Sequence, residues 1–256
     1  MLYFYTFYII IMLLFFIKIE IIKQKRENMN FDFLPKYLPY FNDGMIVTIL
    51  ISAFVVLIGT LLGIVTALAK ISKIAPLRWL ANIYIEIFRG TPMLVQIMLG
   101  FGLMGSLSLP TFQVGILQQD LGRLIPGIIV ISLNSGAYMA EIVRAGIEAV
   151  PLGQKEAAYS LGIRPRQAMA TVILPQALRN ILPAVGNEFV TIIKDSSLLY
   201  TIGVMEVFNG AQTVANLTYQ TISPMLFVAL YYFVVTFVVS RLLVLFEKKL
   251  GKGYAK

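Results

Sequence analysis

The chain has 256 residues, of which 13% are charged and 58% hydrophobic, and its mean hydropathy is +0.81. Soluble domains carry about 25% charged residues, so a water-soluble fold of this length is excluded. The net charge of +8 comes without any histidine or cysteine. That removes disulfides, thiolate metal sites and the commonest general base; no catalytic residue and no metal ligand set stands out, and an enzyme is not expected.

The first feature in chain order is an apolar run from Leu2 to Ile17, followed by Lys18, Lys23, Lys25 and Arg26. Sixteen residues are short for a span, which needs about 20. The run also makes a poor signal peptide, because no positive charge precedes it and no small-residue cleavage site follows. Residues 1–28 are therefore expected to be an over-long start, with translation beginning at Met29. The alternative is an additional helix whose basic flank lies on the unfavourable side of the membrane. Residues 29–256 form the second unit, a transmembrane domain with a cytoplasmic loop at 151–175.

Five apolar segments then follow, at about Gly44–Ala69, Ile83–Leu109, Leu124–Val143, Ile181–Val207 and Pro224–Phe246. Each is close to the length of a membrane helix. The fold class is thus an all-α integral membrane protein with a five-helix core. Gly90-Thr91-Pro92 is expected to break or kink the second span, and Glu86 and Arg89, three apart, suit a local ion pair.

Positive charges set the orientation. Lys70, Lys73 and Arg78 follow the first span. Lys155, Arg164, Arg166 and Arg179 follow the third, and Lys248, Lys249, Lys252 and Lys256 follow the fifth. Arg123 is the only basic residue in the links after the second and fourth. Both basic links and the C-terminus are therefore expected in the cytoplasm. The basic residues are dispersed between apolar runs, which argues against a nucleic-acid face.

The longest link, Pro151 to Pro175, has a helix-forming stretch from Gln154 to Leu161 and a glycine, Gly162, suited to a helix C-terminus. Ala157, Ala158 and Leu161 fall on one face. A helix of two turns is not stable alone in water. Small alanines allow close backbone approach to a groove on a partner.

These residues resemble a known family. Glu156-Ala157-Ala158, then Gly162, then Val172-Ile173-Leu174-Pro175 is similar to the EAA loop of ABC importer permeases, with Val172 where isoleucine is usual. Three flanking blocks resemble the polar amino-acid branch: Phe88-Arg89-Gly90-Thr91-Pro92; Leu133-Asn134-Ser135-Gly136-Ala137-Tyr138 with Glu141; and Gly186-Asn187-Glu188-Phe189 with Lys194-Asp195-Ser196-Ser197-Leu198. The likeness covers nearly all of residues 40–250. It implies a five-helix type I importer core in a bacterial cytoplasmic membrane. Glu156, Ala157, Ala158 and Gly162 would seat in a separate ATPase subunit. It also implies two copies of that ATPase, a second permease chain, identical or a sister, an extracytoplasmic solute-binding protein, and a polar amino acid as cargo.

The chain itself has no Gly-x-x-x-x-Gly-Lys-[Ser/Thr] segment, so ATP would be bound by the partner and no cofactor is expected here.

Polar residues within spans point to the pathway. Asn134, Tyr138 and Glu141 share one face of the third helix, and Asn187, Thr191 and Lys194 share one face of the fourth. Asn134 lies near the middle of its span, and so, by count, do Lys194 and Asp195. A zwitterion could place its ammonium on Asp195 and its carboxylate or side chain on Lys194, Asn134 and Tyr138. Alternatively Lys194 and Asp195 pair with each other or across a dimer interface. Glu141 and Arg144 could form a pair or a gate. An ion-coupled secondary amino-acid transporter is the rival reading, since Glu188, Lys194 and Asp195 suit ion coupling; it is disfavoured because no internal inverted repeat is visible.

Overall fold

The computed structural model describes residues 30–105 and 109–251, with side chains to Phe246. The expectation for residues 1–28 lies outside the described residues. Helix α1 spans Leu34–Lys70, α2 Ala75–Gly90 and α3 Met93–Met104. A hairpin follows, β1 at Thr111–Val114 and β2 at Leu117–Asp120. Next come α4 at Leu121–Glu148, α5 at Leu152–Ser160 and α6 at Pro165–Ala168. A π-helical turn at Met169–Ile173 leads into α7, Leu174–Asp195, and a 3₁₀ turn, Ser196–Ile202, closes it. Helices α8, Val207–Thr218, and α9, Ile222–Gly251, complete the chain.

Among the described residues, four helical segments are long and apolar enough to cross a membrane, and the bent pair α2–α3 makes a fifth crossing if taken as one. The first helix begins ten residues before the expected Gly44. Pro35 falls in its first turn, where a missing N–H costs little, and Pro39 lies inside the helix, where it removes one helical hydrogen bond.

The second span breaks where expected. Thr91 and Pro92 are extended, and α2 and α3 meet at 108°. The fourth does not run to Val207. It loses α-helical pitch after Asp195, turns at Gly203 (φ 77°) and restarts at Val207. Lys194 and Asp195 therefore lie at the end of a helix and not at its middle, a correction to the count along the sequence.

The bundle is built on α1 and α4. Gly59 and Gly63 of α1 face Ser135 and Met139 of α4, and a Cβ on Gly63 would sit 2.9 Å from Ala140 N and closer still to Met139 Cβ. Ala67, Ala137, Ala140 and Ala177 continue this seam. Lipid tails are as apolar as leucine, so membrane helices associate through close packing of small residues more than through a hydrophobic drive. A second cluster of Phe41, Met45, Val207, Ala211, Val214 and Val228 joins α1 to α8 and α9.

The hairpin is held to the bundle at one end. Asp43 Oδ2 accepts from Ile116 N at 2.8 Å, and Gln119 Nε2 donates to Met205 O at 2.7 Å. At that same end Glu206, completely buried, caps α8. Its two oxygens accept from Asn209 N at 2.7 Å and Phe208 N at 2.9 Å, and Tyr232 Oη donates to it at 3.0 Å.

Candidate functional site

Two places carry the residues singled out by the sequence. The first is the 151–175 loop, at the end of the bundle opposite the hairpin. Helix α5 ends at Gly162, whose φ of 75° only glycine adopts freely. Gly162 N donates to Tyr159 O at 2.9 Å and Ile163 N to Ala158 O at 3.1 Å, so the last carbonyls are satisfied. Only Ala158 of this helix is buried; Glu156 and Ala157 are exposed, and Leu161 is 80% exposed. Of the expected apolar face, Ala158 is covered within the chain, whereas Ala157 and Leu161 are open.

Gln176 of α7 fastens the loop, donating to Val172 O at 2.8 Å and to Gln154 Oε1 at 3.3 Å. Behind α5 lies a crevice of about 300 Å³, lined by Ile147, Glu148, Pro151, Leu152, Lys155 and Met169, among others.

The second place is the middle of the bundle. Asn134, fourteenth of the 28 residues of α4, is buried. Its Nδ2 donates to Phe88 O and to Gln96 Oε1, both at 2.9 Å. Gln96 Nε2 in turn donates to Phe88 O at 2.9 Å and to Thr91 Oγ1 at 2.7 Å. The break at Thr91-Pro92 leaves carbonyls without helical partners, and in a membrane these must be satisfied inside the protein. Asn134 and Gln96 do so. Gln96 was not singled out from sequence; a glutamine four residues after a proline break in an apolar helix was the available signal.

One turn along α4, Tyr138 is exposed, and the Arg89 guanidinium lies 5.1 Å from its ring centroid. Arg89 thus stacks on Tyr138, where an ion pair with Glu86 was expected; Glu86 is not among the ion pairs of the described residues. Cation–π contacts of this kind hold a guanidinium in place without neutralising it.

Glu141 is engaged with cations: Oε1 receives Lys70 Nζ at 2.5 Å and Oε2 receives Arg144 Nη2 at 2.8 Å.

Lys194 is exposed and lines a cavity of about 340 Å³ with Ser197, Phe208, Met225, Val228, Ala229 and Tyr232. Asp195, half-buried, is within electrostatic reach of both Lys194 and Glu188. Asn134 and Tyr138 stand against the α2–α3 break, whereas Lys194 faces α8 and α9.

Arg89, Glu86, Tyr138, Asn187, Thr191 and Lys194 are all exposed on a bundle whose other exposed surfaces are rich in leucine, valine and phenylalanine. Charged groups are costly against lipid. Such residues are chemically suited to water or to another polar protein surface.

Comparison with known proteins places this architecture. Residues 59–252 match the family model described as "Binding-protein-dependent transport system inner membrane component". The arginine transport system permease protein ArtQ of Bacillus subtilis is 36% identical over 225 residues, 87% of this chain and 98% of ArtQ. A putative glutamine transport system permease protein GlnP of Rickettsia conorii is 37% identical over 86% of this chain and 98% of its own length. The L-cystine transport system permease protein TcyB of Bacillus subtilis is 37% identical, covering 85% and 89%. Among solved structures, an amino acid ABC transporter with histidines superposes with a TM-score of 0.77 at 42% identity, over 86% of this chain and all of that one. The MetNI methionine ABC transporter, at 16% identity and a TM-score of 0.60, shares the fold over 83% of this chain and 97% of its own. With its matched segment spanning most of the chain, and with relatives matched over almost their whole length, the protein belongs to the family of binding-protein-dependent transport system inner membrane components.

Proposed function

We propose that this chain is the membrane-spanning permease subunit of an ATP-driven importer for polar amino acids. It supplies the translocation pathway and meets a separate ATPase through the 151–175 loop. The observation that carries this is α5: nine residues in length, with one buried, it is a helix too short to persist in water. It is nonetheless fixed in place by Gly162, Gln154 and Gln176. A short pre-formed helix with exposed Glu156, Ala157 and Leu161 is what a groove in a partner would grip. The arginine, glutamine and cystine relatives support an amino-acid cargo.

The basic end of the bundle, with the loop and the C-terminus, is the cytoplasmic end. The hairpin end faces outward toward a solute-binding protein. Two permease chains, identical or sister, and two ATPase copies complete the assembly, with ATP held by the partner. Residues 29–256 act as one transmembrane domain. The exposed polar residues of α2, α4 and α7 are covered by the second chain and border the pathway. Tyr138, Lys194 and Asp195 line that pathway, Asn134 holds its wall at the α2–α3 break, and Glu141 stands at its cytoplasmic mouth.

Gly162→Asp tests the loop. It is expected to abolish ATP-dependent uptake while membrane insertion, followed by the amount of chain in washed membranes, stays normal. Normal uptake by that variant would refute the assignment of the loop. An ion-coupled carrier would in addition transport without hydrolysing ATP.

A further inference from the structure

Four charged residues form a continuous chain at the basic end of the bundle. Lys70 is the last residue of α1 and binds Glu141 Oε1 at 2.5 Å. The other carboxylate oxygen of Glu141 takes Arg144 through Nε at 3.1 Å and Nη2 at 2.8 Å. Arg144 Nη1 then reaches Glu148 Oε2 at 2.5 Å. Glu148 ends α4, three residues before Pro151, and lines the crevice beneath α5 beside Lys155. The chain of contacts thus begins at the α1–α2 link and ends at the root of the loop. Tyr138, which carries Arg89, lies one helical turn above Glu141 on α4.

Stability alone is a weak reason for such a network. The side chains of Lys70, Glu141 and Arg144 are 24%, 18% and 31% exposed, and partly exposed pairs contribute little net free energy. Their placement fits a mechanical part better. Helices α1 and α4 are already packed through Gly59 and Gly63, but at Lys70 the chain leaves α1 for α2, whose far end is the α2–α3 break that borders the pathway. Both carboxylate oxygens of Glu141 are engaged, each by a different helix position, so a displacement of the α4 terminus is passed to the end of α1.

We infer that Lys70, Glu141, Arg144 and Glu148 form a transmission that couples movement of the 151–175 loop to the α1–α2 corner of the pathway, with Lys70 and Arg144 as positioning residues. This rests on the assignment of the loop as the ATPase contact.

The test uses the complete transporter in liposomes, with its ATPase and solute-binding protein, and reads substrate moved per ATP hydrolysed and the stimulation of hydrolysis by loaded binding protein. Lys70→Met and Arg144→Gln are each expected to assemble and hydrolyse ATP but to lower transport per ATP about fivefold or more, the low end of typical coupling between sites. Lys70→Arg and Arg144→Lys keep the charge and are expected to restore most of the ratio. A merely structural pair would lower the amount of assembled complex and leave the ratio per complex unchanged. An unchanged ratio in Lys70→Met and Arg144→Gln overturns the proposal, as does failure of both to assemble. If the wild-type chain does not copurify with an ATPase, or Gly162→Asp transports normally, the loop assignment fails first and the transmission with it.

Discussion

Gly162 and Glu206 fix single points of the chain by different means. At Gly162 the left-handed backbone turns the chain out of α5, and open space surrounds its Cα. A β-branched side chain there meets no neighbour but pays about 1–2 kcal/mol for the left-handed conformation. Gly162→Val is therefore expected to lower uptake strongly and the thermal stability of the chain only slightly; fluorescence-detected melting in detergent and uptake in vesicles separate the two. Glu206 satisfies the opening amides of α8 and takes the Tyr232 hydroxyl as well. Glu206→Ala removes the carboxylate acceptor of the buried Asn209 amide and of the partly buried Phe208 amide and Tyr232 hydroxyl, at about 1–3 kcal/mol for each group left unsatisfied. It is expected to lower the melting temperature by several degrees and to reduce the assembled complex. The sequence did not mark Glu206, because it was counted inside a span that in fact ends before it; Gly203 and an acidic residue just ahead of Val207 were the stop and start signals. For Asp195, Asp195→Asn is expected to reduce uptake without loss of assembly. Unchanged uptake would remove Asp195 from the pathway.

Among the elements, the broken second span and the glycine seam of α1 were legible to different degrees. Pro92 announces a break wherever it falls inside an apolar run, so the kink at residues 90–92 could be read directly. Its repair could not, since Asn134 reaches Phe88 O from 46 residues away. Pattern gave Asn134 a position on a helix face and suggested a ligand; the structure gives it two hydrogen bonds inside the protein. Gly59 and Gly63 show the reverse. Their four-residue spacing is visible, yet only the packed partner shows that a Cβ on Gly63 has no room. Gly63→Val is expected to cost about 1–3 kcal/mol through overpacking, with a matching fall in detergent-stable complex on size-exclusion chromatography. The hairpin was not anticipated. Its strands are four residues each, and a two-stranded hairpin is marginal alone; Asp43 and Met205, distant in sequence, hold it. Gly115, with φ 57°, was its local signal.

For the whole molecule, the decisive feature is a set of polar residues exposed on the outside of an apolar bundle. If a second chain covers it around an aqueous route, Thr191→Cys is expected to react with a membrane-impermeant thiol reagent in the assembled complex, and Leu61→Cys, on the apolar surface of α1, is not. This chain gives no background of its own because it contains no cysteine. Equal labelling at both positions would argue against these polar residues as the pathway border. What the sequence determined by itself is the membrane class, the five apolar segments between residues 44 and 246, the break at Pro92 and the loop with Glu156, Ala157, Ala158 and Gly162. These rest on local quantities: length of apolar runs, position of positive charge, and the spacing of small and turn-forming residues. The tertiary structure alone decided which polar residues inside the spans are already satisfied. Asn134 is bound to the α2–α3 break, Glu141 to Lys70 and Arg144, and Arg89 to Tyr138, while Lys194 borders a cavity. Every buried polar group seeks a partner in a medium without water, and which partner it meets depends on helices brought together from far apart in the chain.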